Sequence, residues 1–534
     1  MTFQTKVKLL AAALSATAVM LGSGPAWSQK KDNGGAQGAK AQTRVIVAFK
    51  AGGGPAARNA IAAGGGRVIL DLSEANALAA EMPAAAVNGL RRNPNIEFVE
   101  DDPVRRALRP RPMLVNVPNA LPVNTPETVP YGITMVQAPD VSDALAGNRK
   151  VCIVDSGIDR GHADLAGLIL DGVNLTKSGQ WYTDENSHGT HVAGTIAAVD
   201  NTIGVVGVLP NKQLRLYIAK VFDAAGSAPT SVIVRGMIQC MNAGANVVNM
   251  SLGGDVPTML ELRITELLSK RNILLIAAAG NDGNTLTSYP AGFGNVVSVA
   301  AIDKNKELAS FSQVNADVEL AAPGVEVLST VPVGSQVGAT ATIGGVSYPV
   351  EAMENSALGA GAGPLADFGL GTAPAAGSMS GKVCLIQRGS ISFAEKVVNC
   401  QNSGGVAAIV YNNTTGDVNG TLGETVTAIP SVGTTQADGQ AMLAQVGQPA
   451  SVSVFVTQDA YAYYDGTSMV TPHVAGVAAL VWSHFPSCTA AQIRSSLNKH
   501  AMDLGAPGRD AKFGYGLVQA KATFEGIAKN GCGN

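Results

Sequence analysis

Three short segments of the chain carry the residue types that a serine nucleophile needs. Ser468 lies in GTSMVTPHVAG, where a tight turn leads into an apolar helix and Pro472 is expected in the first turn. A serine there lies near oriented N–H groups that stabilise an oxyanion. His188 lies in SHGTHVAGT, and Asp155 ends the apolar strand of VCIVDSGID. Because a serine needs a base, and the base needs a carboxylate to hold its tautomer, these segments predict an Asp-His-Ser triad.

The chain order Asp155, His188, Ser468 is that of subtilisin, and the three glycine-flanked motifs resemble the subtilisin family of serine endopeptidases. A fourth segment, ILLIAAAGNDG, reads as a buried parallel strand that ends at Asn281. The resemblance implies that the Asn281 side-chain amide donates to the oxyanion. Short Val/Ile-rich runs alternate with amphipathic helices, which indicates an α/β fold: a subtilisin-like parallel sheet with helices on both faces.

The substrate-binding residues are implied by the same resemblance. SLGG, at 251–254, matches the strand that pairs with an extended substrate, and such pairing gives affinity for almost any peptide. Ser288 stands where the family often has glycine at the base of the primary pocket, and Asp282 lies at its rim, where it would favour a basic residue. We expect broad specificity with an apolar preference and tolerance for Lys or Arg. The expected set is Ser251, Leu252, Gly253, Ala278, Ala279, Gly280, Asp282 and Ser288.

A calcium site is also implied by the resemblance, because 199–205 matches the family's strong calcium loop. Calcium takes six to eight oxygens, many of them carbonyls. Glu127 stands where a glutamine side chain normally helps, which would add charge to the site. The alternative is a loop closed by Asn201 alone. No cofactor is expected for catalysis. The implied ligands are Glu127, Asp164, Val199, Asn201, Ile203 and Val205.

Composition restricts the class of protein and its partners. A chain of 534 residues is too long for one small domain, and 46% hydrophobic with 14% charged residues is globular. The formal net charge of −3 argues against nucleic acid or an anionic membrane as a partner. We expect a monomer that acts on polypeptides.

The first 28 residues have the pattern of a secretory signal. Lys6 and Lys8 precede an apolar run at 9–21, and small residues surround Ser28, after which we expect cleavage. The run is too short to cross a bilayer, and no other stretch approaches about 20 apolar residues. The alternative is a single membrane anchor. The expected location is extracellular or periplasmic, with no membrane attachment after signal removal.

Six cysteines fit export, because oxidising compartments favour disulfides. Fifteen pairings are possible, and the order of preference follows proximity along the chain. Two cysteines lie in one inserted segment and two in the C-terminal part; the remaining two would pair with each other or pack as buried thiols. The absence of a CxxC motif argues against zinc. The expected pairs are Cys384–Cys400, Cys488–Cys532 and Cys152–Cys240.

Residues 44–102 read β-α-β-β-α-β, which resembles the ferredoxin-like α+β propeptide of the subtilisin family. The resemblance implies that this segment assists folding and inhibits the peptidase until it is removed. A built-in template suits a chain with many parallel strands, which folds slowly. The alternative is an ordinary appended domain. The Pro-rich stretch at 105–126 reads as extended and cleavable, and the processing bond is left open there.

An insertion of about 120 residues, at 335–458, separates the last sheet strand from the serine motif, where only a short loop is expected. Within it, a strand at 383–387, a helix at 392–403 and a strand at 407–411 resemble the protease-associated domain. In that family such domains flank the cleft and shape access without catalysing. The alternative is a passive bulge.

The sequence predicts one domain organisation and leaves three functions in competition. The functions are a secreted degradative endopeptidase with a self-inhibiting propeptide, a maturation protease with few substrates, and a non-catalytic binding protein on a protease fold. Every catalytic residue type is present, which favours the first. The expected segments are a signal peptide at 1–28, a disordered linker at 29–43, an inhibitor-type propeptide at 44–107, a processing linker at 108–126, and a peptidase domain at 127–334 and 459–534 around a protease-associated domain at 335–458.

Overall fold

The structure, a computed structural model, describes residues 42–108, 120–416, 418, 420–423 and 425–533. The expected signal peptide, the expected disordered linker apart from its last two residues, and most of the processing linker lie outside these ranges. Within them, no helix combines the length and apolar character that crossing a bilayer requires.

The N-terminal unit is an antiparallel sheet of order β2-β3-β1-β4 with two helices on one face, in the predicted element order. Val45 and Val47 of its first strand pack against these helices, whereas Ile46 and Ala48 join a core cluster of the peptidase region. The unit therefore uses its second sheet face as an interface. The elements are β1 Gln42–Phe49, α1 Gly54–Ala63, β2 Arg67–Leu72, β3 Ala77–Pro83, α2 Val87–Arg91, β4 Ile96–Asp101 and β5 Val104–Ala107, with 3-10 turns at Ser73–Ala75 and Ala84–Ala86.

The peptidase region is built on a seven-stranded parallel sheet of order β15-β14-β13-β11-β7-β9-β8. Short runs of Val, Ile, Leu and Ala form its strands, as expected for a sheet covered on both faces. The elements are β6 Ala120–Pro122, α3 Tyr131–Met135, β7 Lys150–Asp155, β8 Ile169–Asn174, α4 His188–Ala197, β9 Arg215–Lys220, β10 Ser227–Pro229, α5 Thr230–Asn242, β11 Val247–Met250, β12 Leu252–Gly253, α6 Met259–Lys270, β13 Leu274–Ala278, β14 Val297–Ile302, β15 Val318–Pro323 and β16 Val327–Thr330, with 3-10 turns at Ala138–Asp140, Ala146–Asn148 and Ala163–Leu165.

The insertion forms a mixed eight-stranded sheet with its own apolar clusters. Its two predicted strands lie where expected, and its first helix begins after Ser392, whose side chain forms a capping box with Glu395. The elements are β17 Val337–Ile343, β18 Val346–Tyr348, β19 Glu351–Ala352, β20 Gly359–Asp367, β21 Val383–Gln387, α7 Phe393–Asn402, β22 Ala407–Tyr411, β23 Ser431–Thr434, α8 Gln436–Leu443 and β24 Pro449–Val456.

The chain returns from the insertion through β25, Asp459–Tyr464, which pairs antiparallel with β16 and β6. Residues 120–122, expected to be linker, are therefore an edge strand of the peptidase body, because β25 supplies hydrogen-bond partners that the sequence pattern does not reveal. The last elements are α9 Thr467–His484, α10 Ala490–Lys499 and α11 Ala520–Asn530.

The two faces of the parallel sheet bury different helices. Val151 and Ile153 of β7 lie in one core cluster with residues of α4 and α9. The alternating Cys152 and Val154 lie in a second cluster with residues of α5 and α6. Helices thus cover both faces, and the ends of β7 and β13 and the start of α9 converge on one region.

All six cysteines form disulfides, in the three pairs expected from the sequence. Cys152–Cys240 joins β7 to α5 beneath the sheet, and Cys384–Cys400 joins β21 to α7 within the insertion. Cys488–Cys532 ties the segment before α10 to the end of the chain. Each of the two faces of the peptidase sheet therefore carries one disulfide, and the insertion carries the third.

Candidate active site

Asp155 and His188 are hydrogen-bonded at the end of β7 and the start of α4. His188 Nδ1 lies 2.8 Å from Asp155 Oδ1 and 3.0 Å from Oδ2, and both side chains are buried. The backbone N–H of Ser156 donates to the same Oδ1 at 2.7 Å. With Nδ1 engaged, Nε2 is the ring nitrogen available to a reacting proton, and it has no hydrogen-bond partner in the described ranges.

Ser468 is the second residue of α9 and is fully buried in this state. Its Oγ lies 2.9 Å from the carbonyl oxygen of Leu108 and 2.9 Å from that of Ser251. The hydroxyl is hydrogen-bonded to these carbonyls rather than to His188. Transfer of its proton to the imidazole therefore requires a rotation about the Ser468 side chain.

Pro472 corrects one expectation about this helix. Because α9 begins at Thr467, Pro472 lies beyond the first turn, inside the helix. There its missing N–H deprives the carbonyl of Ser468, four residues earlier, of its helical partner. The Ser251 hydroxyl supplies the replacement, donating to that carbonyl at 2.8 Å. A residue expected only to bind substrate thus also holds the first turn of α9.

Asn281 follows β13 and directs its amide nitrogen at the carbonyl oxygen of Leu108, 3.4 Å away. The amide orientation is set by Thr467, whose backbone N–H and hydroxyl both donate to Asn281 Oδ1, at 2.8 and 2.7 Å. An amide held in this way is a donor aimed at a carbonyl next to a serine hydroxyl, which is the geometry of an oxyanion hole.

Strand β5 of the N-terminal unit lies in the cleft beside Ser468, between two strands of the peptidase region. Residues 104–106 pair antiparallel with β10, and 106–107 pair antiparallel with β12. Leu108 continues the strand, with its N–H 3.4 Å from the Ser251 carbonyl. Residues 105–108 were expected to be the end of the propeptide and the start of the linker. The residue types Val-Arg-Arg-Ala do not alternate apolar with polar, so periodicity gave no signal for this strand.

The Leu108 side chain lies beside Gly253, one of the residues predicted to bind substrate. Its two methyl carbons lie 3.6 Å from where a Cβ on Gly253 would be, and that Cβ would collide with Ser288 Oγ. Ala278 and Ala279, predicted to wall the pocket, are buried. Gly280 has φ +119° and leaves no room for a side chain beside Gln313.

Asp282, predicted at the rim, is exposed. None of the contacts of Leu108 within the described ranges involves its carboxylate. The structure therefore brings Ser251, Gly253 and Ser288 close to the Leu108 segment and leaves Asp282 in solvent.

Two further histidines near the site contact backbone carbonyls. His191 Nε2 lies 3.0 Å from the Val327 carbonyl, and its ring stacks on Tyr464 with centroids 4.4 Å apart. His473 Nδ1 lies 2.8 Å from the Met469 carbonyl. Burial lowers the pKa of His191 to about 3 and that of His473 to about 4, so both rings stay neutral at physiological pH.

The loop predicted to bind calcium folds around Asp164. Asp164 Oδ1 accepts a hydrogen bond from Asn201 Nδ2 at 3.0 Å, and Oδ2 accepts one from the Val205 N–H at 2.8 Å. Glu127 Oε2 accepts one from the Asn201 N–H at 2.8 Å. Both carboxylates therefore contact Asn201, one at its side chain and one at its backbone.

The oxygen donors of this loop fit calcium in part. In the described ranges, no hydrogen bond ends on the carbonyl oxygens of Val199, Ile203 or Val205, which leaves them available as ligands. The Asn201 amide would have to turn, since its nitrogen now faces Asp164. Nowhere in those ranges do three His, Cys, Asp or Glu side chains form a metal cluster, so a cation here would depend on carbonyls.

Comparison with known proteins defines the class. The model of the subtilase family matches residues 147–351 and 404–516, and that of the PA domain matches residues 346–442. The chain belongs to the subtilase family. It is a serine endopeptidase with a subtilisin-like α/β fold and a protease-associated domain.

Individual relatives agree with this assignment. Subtilisin NAT of Bacillus subtilis subsp. natto is 34% identical over 305 residues, which cover 55% of this chain and 74% of the relative. Subtilisin DY of Bacillus licheniformis is 43% identical over 213 residues, covering 39% and 76%. Among solved structures, the psychrophilic subtilisin-like protease Apa1 from the Antarctic psychrotroph Pseudoalteromonas sp. AS-11 is similar, at 42% identity and a TM-score of 0.54. The match covers 76% of this chain and all of that one.

Proposed function

We propose that Asp155, His188 and Ser468 form the catalytic triad of a secreted endopeptidase that is made as a self-inhibited precursor. One observation carries the proposal: the Leu108 carbonyl lies between the Ser468 hydroxyl, at 2.9 Å, and the Asn281 amide, at 3.4 Å. A peptide carbonyl held between a serine and an amide donor is positioned as a substrate would be.

The mechanism follows from which atoms are free to move a proton. His188 Nε2 accepts the Ser468 proton while Oγ attacks the carbonyl carbon, and Asp155 holds the imidazole and stabilises its charged form. Asn281 Nδ2 and the Ser468 N–H stabilise the oxyanion. His188 then protonates the leaving amine, and water, activated by the same base, hydrolyses the acyl-enzyme.

A self-inhibited precursor must be cut at a bond between its N-terminal segment and its peptidase region. Because the Leu108 carbonyl faces Ser468, the bond between Leu108 and Arg109 is the one we propose to be cut. After the cut, β5 would still pair with β10 and β12 and block the cleft, so the freed segment would act as a product-like inhibitor. The same strand pairing is the mode by which substrates would bind.

Contacts outside the cleft support a template role for the N-terminal unit. Glu100 accepts hydrogen bonds from the Met259 and Leu260 N–H groups at the start of α6, at 2.8 and 3.0 Å. Asp102 accepts one from the Ser231 N–H in the first turn of α5, at 2.8 Å. Both carboxylates accept N–H groups from the first turns of helices, so the unit stabilises two helices that form one face of the peptidase core.

The proposal also covers the substrate specificity of the enzyme, the role of the inserted domain and the binding of calcium. The pairing strands and the apolar pocket around Leu108 favour broad cleavage with an apolar residue before the cut bond. We propose that the PA domain flanks the cleft and shapes access to it. Calcium is proposed to bind the 199–205 loop through carbonyls, the Asp164 carboxylate and the Asn201 amide, and to add rigidity there.

The experiment is digestion of denatured casein by the wild type, Ser468→Ala and His188→Ala, beside labelling with a fluorophosphonate that reacts with activated serines. We expect the wild type alone to digest casein and to carry the label on Ser468. Casein digestion by Ser468→Ala would refute the triad. A labelled wild type that leaves casein intact would favour the maturation protease. A folded, unlabelled protein would favour the binding protein.

A further inference from the structure

Arg105 and Glu261 form an ion pair that is completely shielded from solvent. Both side chains have no exposed surface, and two nitrogens of the guanidinium face the two carboxylate oxygens. Nη2 lies 2.6 Å from Oε2, and Nε lies 3.2 Å from Oε1. Nη2 also donates to the Val256 carbonyl at 2.8 Å. Such a two-point contact is specific for the planar guanidinium.

The strand places this arginine three residues before Leu108, on the buried side. Arg105 and Ala107 point into the peptidase, whereas Val104 and Arg106 are exposed. Two adjacent arginines therefore have opposite environments on one strand. Since the carbonyl of Leu108 faces Ser468, Arg105 is the fourth residue before the bond proposed to be cut.

The groups around Arg105 belong to the peptidase region rather than to the N-terminal unit. Glu261 is in the first turn of α6, and its N–H donates to the capping hydroxyl of Thr258 at 3.2 Å. Val256 precedes that helix, and Gly254 lies beside Arg105 Nη1. A carboxylate fixed in a buried helix turn demands a cation or water in the space that Arg105 fills.

We propose that Glu261 makes this endopeptidase selective for arginine at the fourth residue before the cleaved bond. The inference rests on the proposed function, because it treats β5 as a mimic of substrate. An apolar side chain in that position would leave Glu261 buried and unpaired, which disfavours such substrates. Lysine would neutralise the charge but make only a single-point contact, so it ranks between arginine and leucine.

The preference for a basic residue, expected at the primary pocket, is assigned instead to the fourth position before the cleaved bond. A tolerance for Lys or Arg was expected from Asp282 at the primary pocket, but Asp282 is exposed. Glu261 is buried and already pairs with an arginine. The combined selectivity is therefore an arginine in the distal pocket and an apolar residue, such as the leucine at 108, in the primary pocket.

The test uses the mature wild-type enzyme and peptide p-nitroanilides of the form Xaa-Ala-Ala-Leu, with Xaa as Arg, Lys, Leu or Ala. We expect kcat/KM for the arginine peptide to exceed that for the leucine peptide roughly 30-fold or more, the size of effect typical for a buried charge left unpaired. Ala-Arg-Ala-Leu is the matched control, because it moves the arginine to the exposed side of the strand. It should react like Ala-Ala-Ala-Leu.

Two variants assign any preference to the carboxylate. Glu261→Gln should reduce the ratio of arginine to leucine to within about 3-fold, and Glu261→Leu should reverse it. Equal cleavage of the arginine and leucine peptides by the wild type would overturn the inference while leaving the proposed function intact. An enzyme inactive on these peptides and on casein would overturn the proposed function, and this inference with it.

A second measurement changes only the N-terminal segment and leaves the sequence of the peptidase region unaltered. In the full chain, Arg105→Leu should slow processing after Leu108 at least about 10-fold, whereas Arg106→Leu, on the exposed side, should change it less than about 2-fold. Equal processing rates of the two variants would overturn the inference. The two variants lose the same charge, so a difference between them reports the buried contact.

Discussion

At the scale of single residues, the candidate site depends on neighbours that orient the reacting groups. Thr467 directs the Asn281 amide, and Ser251 supplies the hydrogen bond that Pro472 cannot donate. Ser468 can therefore sit at the start of a helix whose first turn is intact despite the proline. The Asn281 amide, the proposed oxyanion donor, is likewise oriented by hydrogen bonds from Thr467, and such preorganisation is the condition for electrostatic stabilisation of a transition state.

Asn281→Ala should lower kcat about 10²–10³-fold and change KM little, because the amide acts on charge that develops only in the transition state; the figure comes from subtilisin itself. The measurement is steady-state kinetics on a peptide p-nitroanilide. Thr467→Val is the companion variant: it removes one of the two donors to Asn281 Oδ1 and should cost less than Asn281→Ala. A kcat unchanged in Asn281→Ala would contradict the assigned oxyanion role.

At the scale of elements, the N-terminal unit attaches to helices rather than to loops. Its two carboxylates complete the starts of α5 and α6, and its strand β5 completes a sheet with β10 and β12. The attachments involve backbone groups that a released peptidase must expose to water. Detachment is therefore opposed in several places at once.

Glu100 should make this attachment depend on pH. Burial against α6 raises its pKa from 4.5 to about 7. Release returns the carboxyl to water, where its pKa is ordinary. The attached state therefore holds the proton more tightly, so attachment should weaken as pH rises from about 4.5 to 7 and then level off.

The measurement for Glu100 is the rate at which activity appears in processed wild type and in Glu100→Gln between pH 5 and 8. We expect activation of the wild type to quicken with pH by about 10-fold or more over this range, and the glutamine variant to show a flatter profile. Parallel profiles for the two proteins would show that Glu100 is not the responsible group.

Calcium should stabilise the 199–205 loop, because unpaired carbonyls there would gain a cation as a partner. We expect prolonged incubation with excess EDTA to lower the melting temperature and added calcium to restore it. Asn201→Ala should reduce the effect of calcium. An unchanged melting temperature after long chelation would count against the site.

At the scale of the whole molecule, the sequence predicted the parts whose chemistry requires particular residues at particular spacings. Asp155, His188, Ser468 and Asn281 could be selected because each lies in a distinctive motif near the end of a strand or the start of a helix. The parallel sheet followed from apolar runs between amphipathic helices. The strands at 383–387 and 407–411 were predicted with correct bounds because each is a short, almost entirely apolar run.

Contacts between distant segments could not be predicted in the same way. Arg105 and Glu261 are 156 positions apart, and charged residues are normally assigned to the surface. β5 has four residues, and its pairing partners lie more than a hundred residues later. The helical register of Pro472 depended on where α9 begins, and helix boundaries are the least certain part of a pattern.

The most direct test of the central claim is the intact mass of full-length wild type and Ser468→Ala after purification. We expect the wild type to separate into two pieces, with the peptidase piece beginning at Arg109, and Ser468→Ala to remain one uncut chain. Cleavage of Ser468→Ala between Leu108 and Arg109, or a wild type cut only at another bond, would contradict this claim.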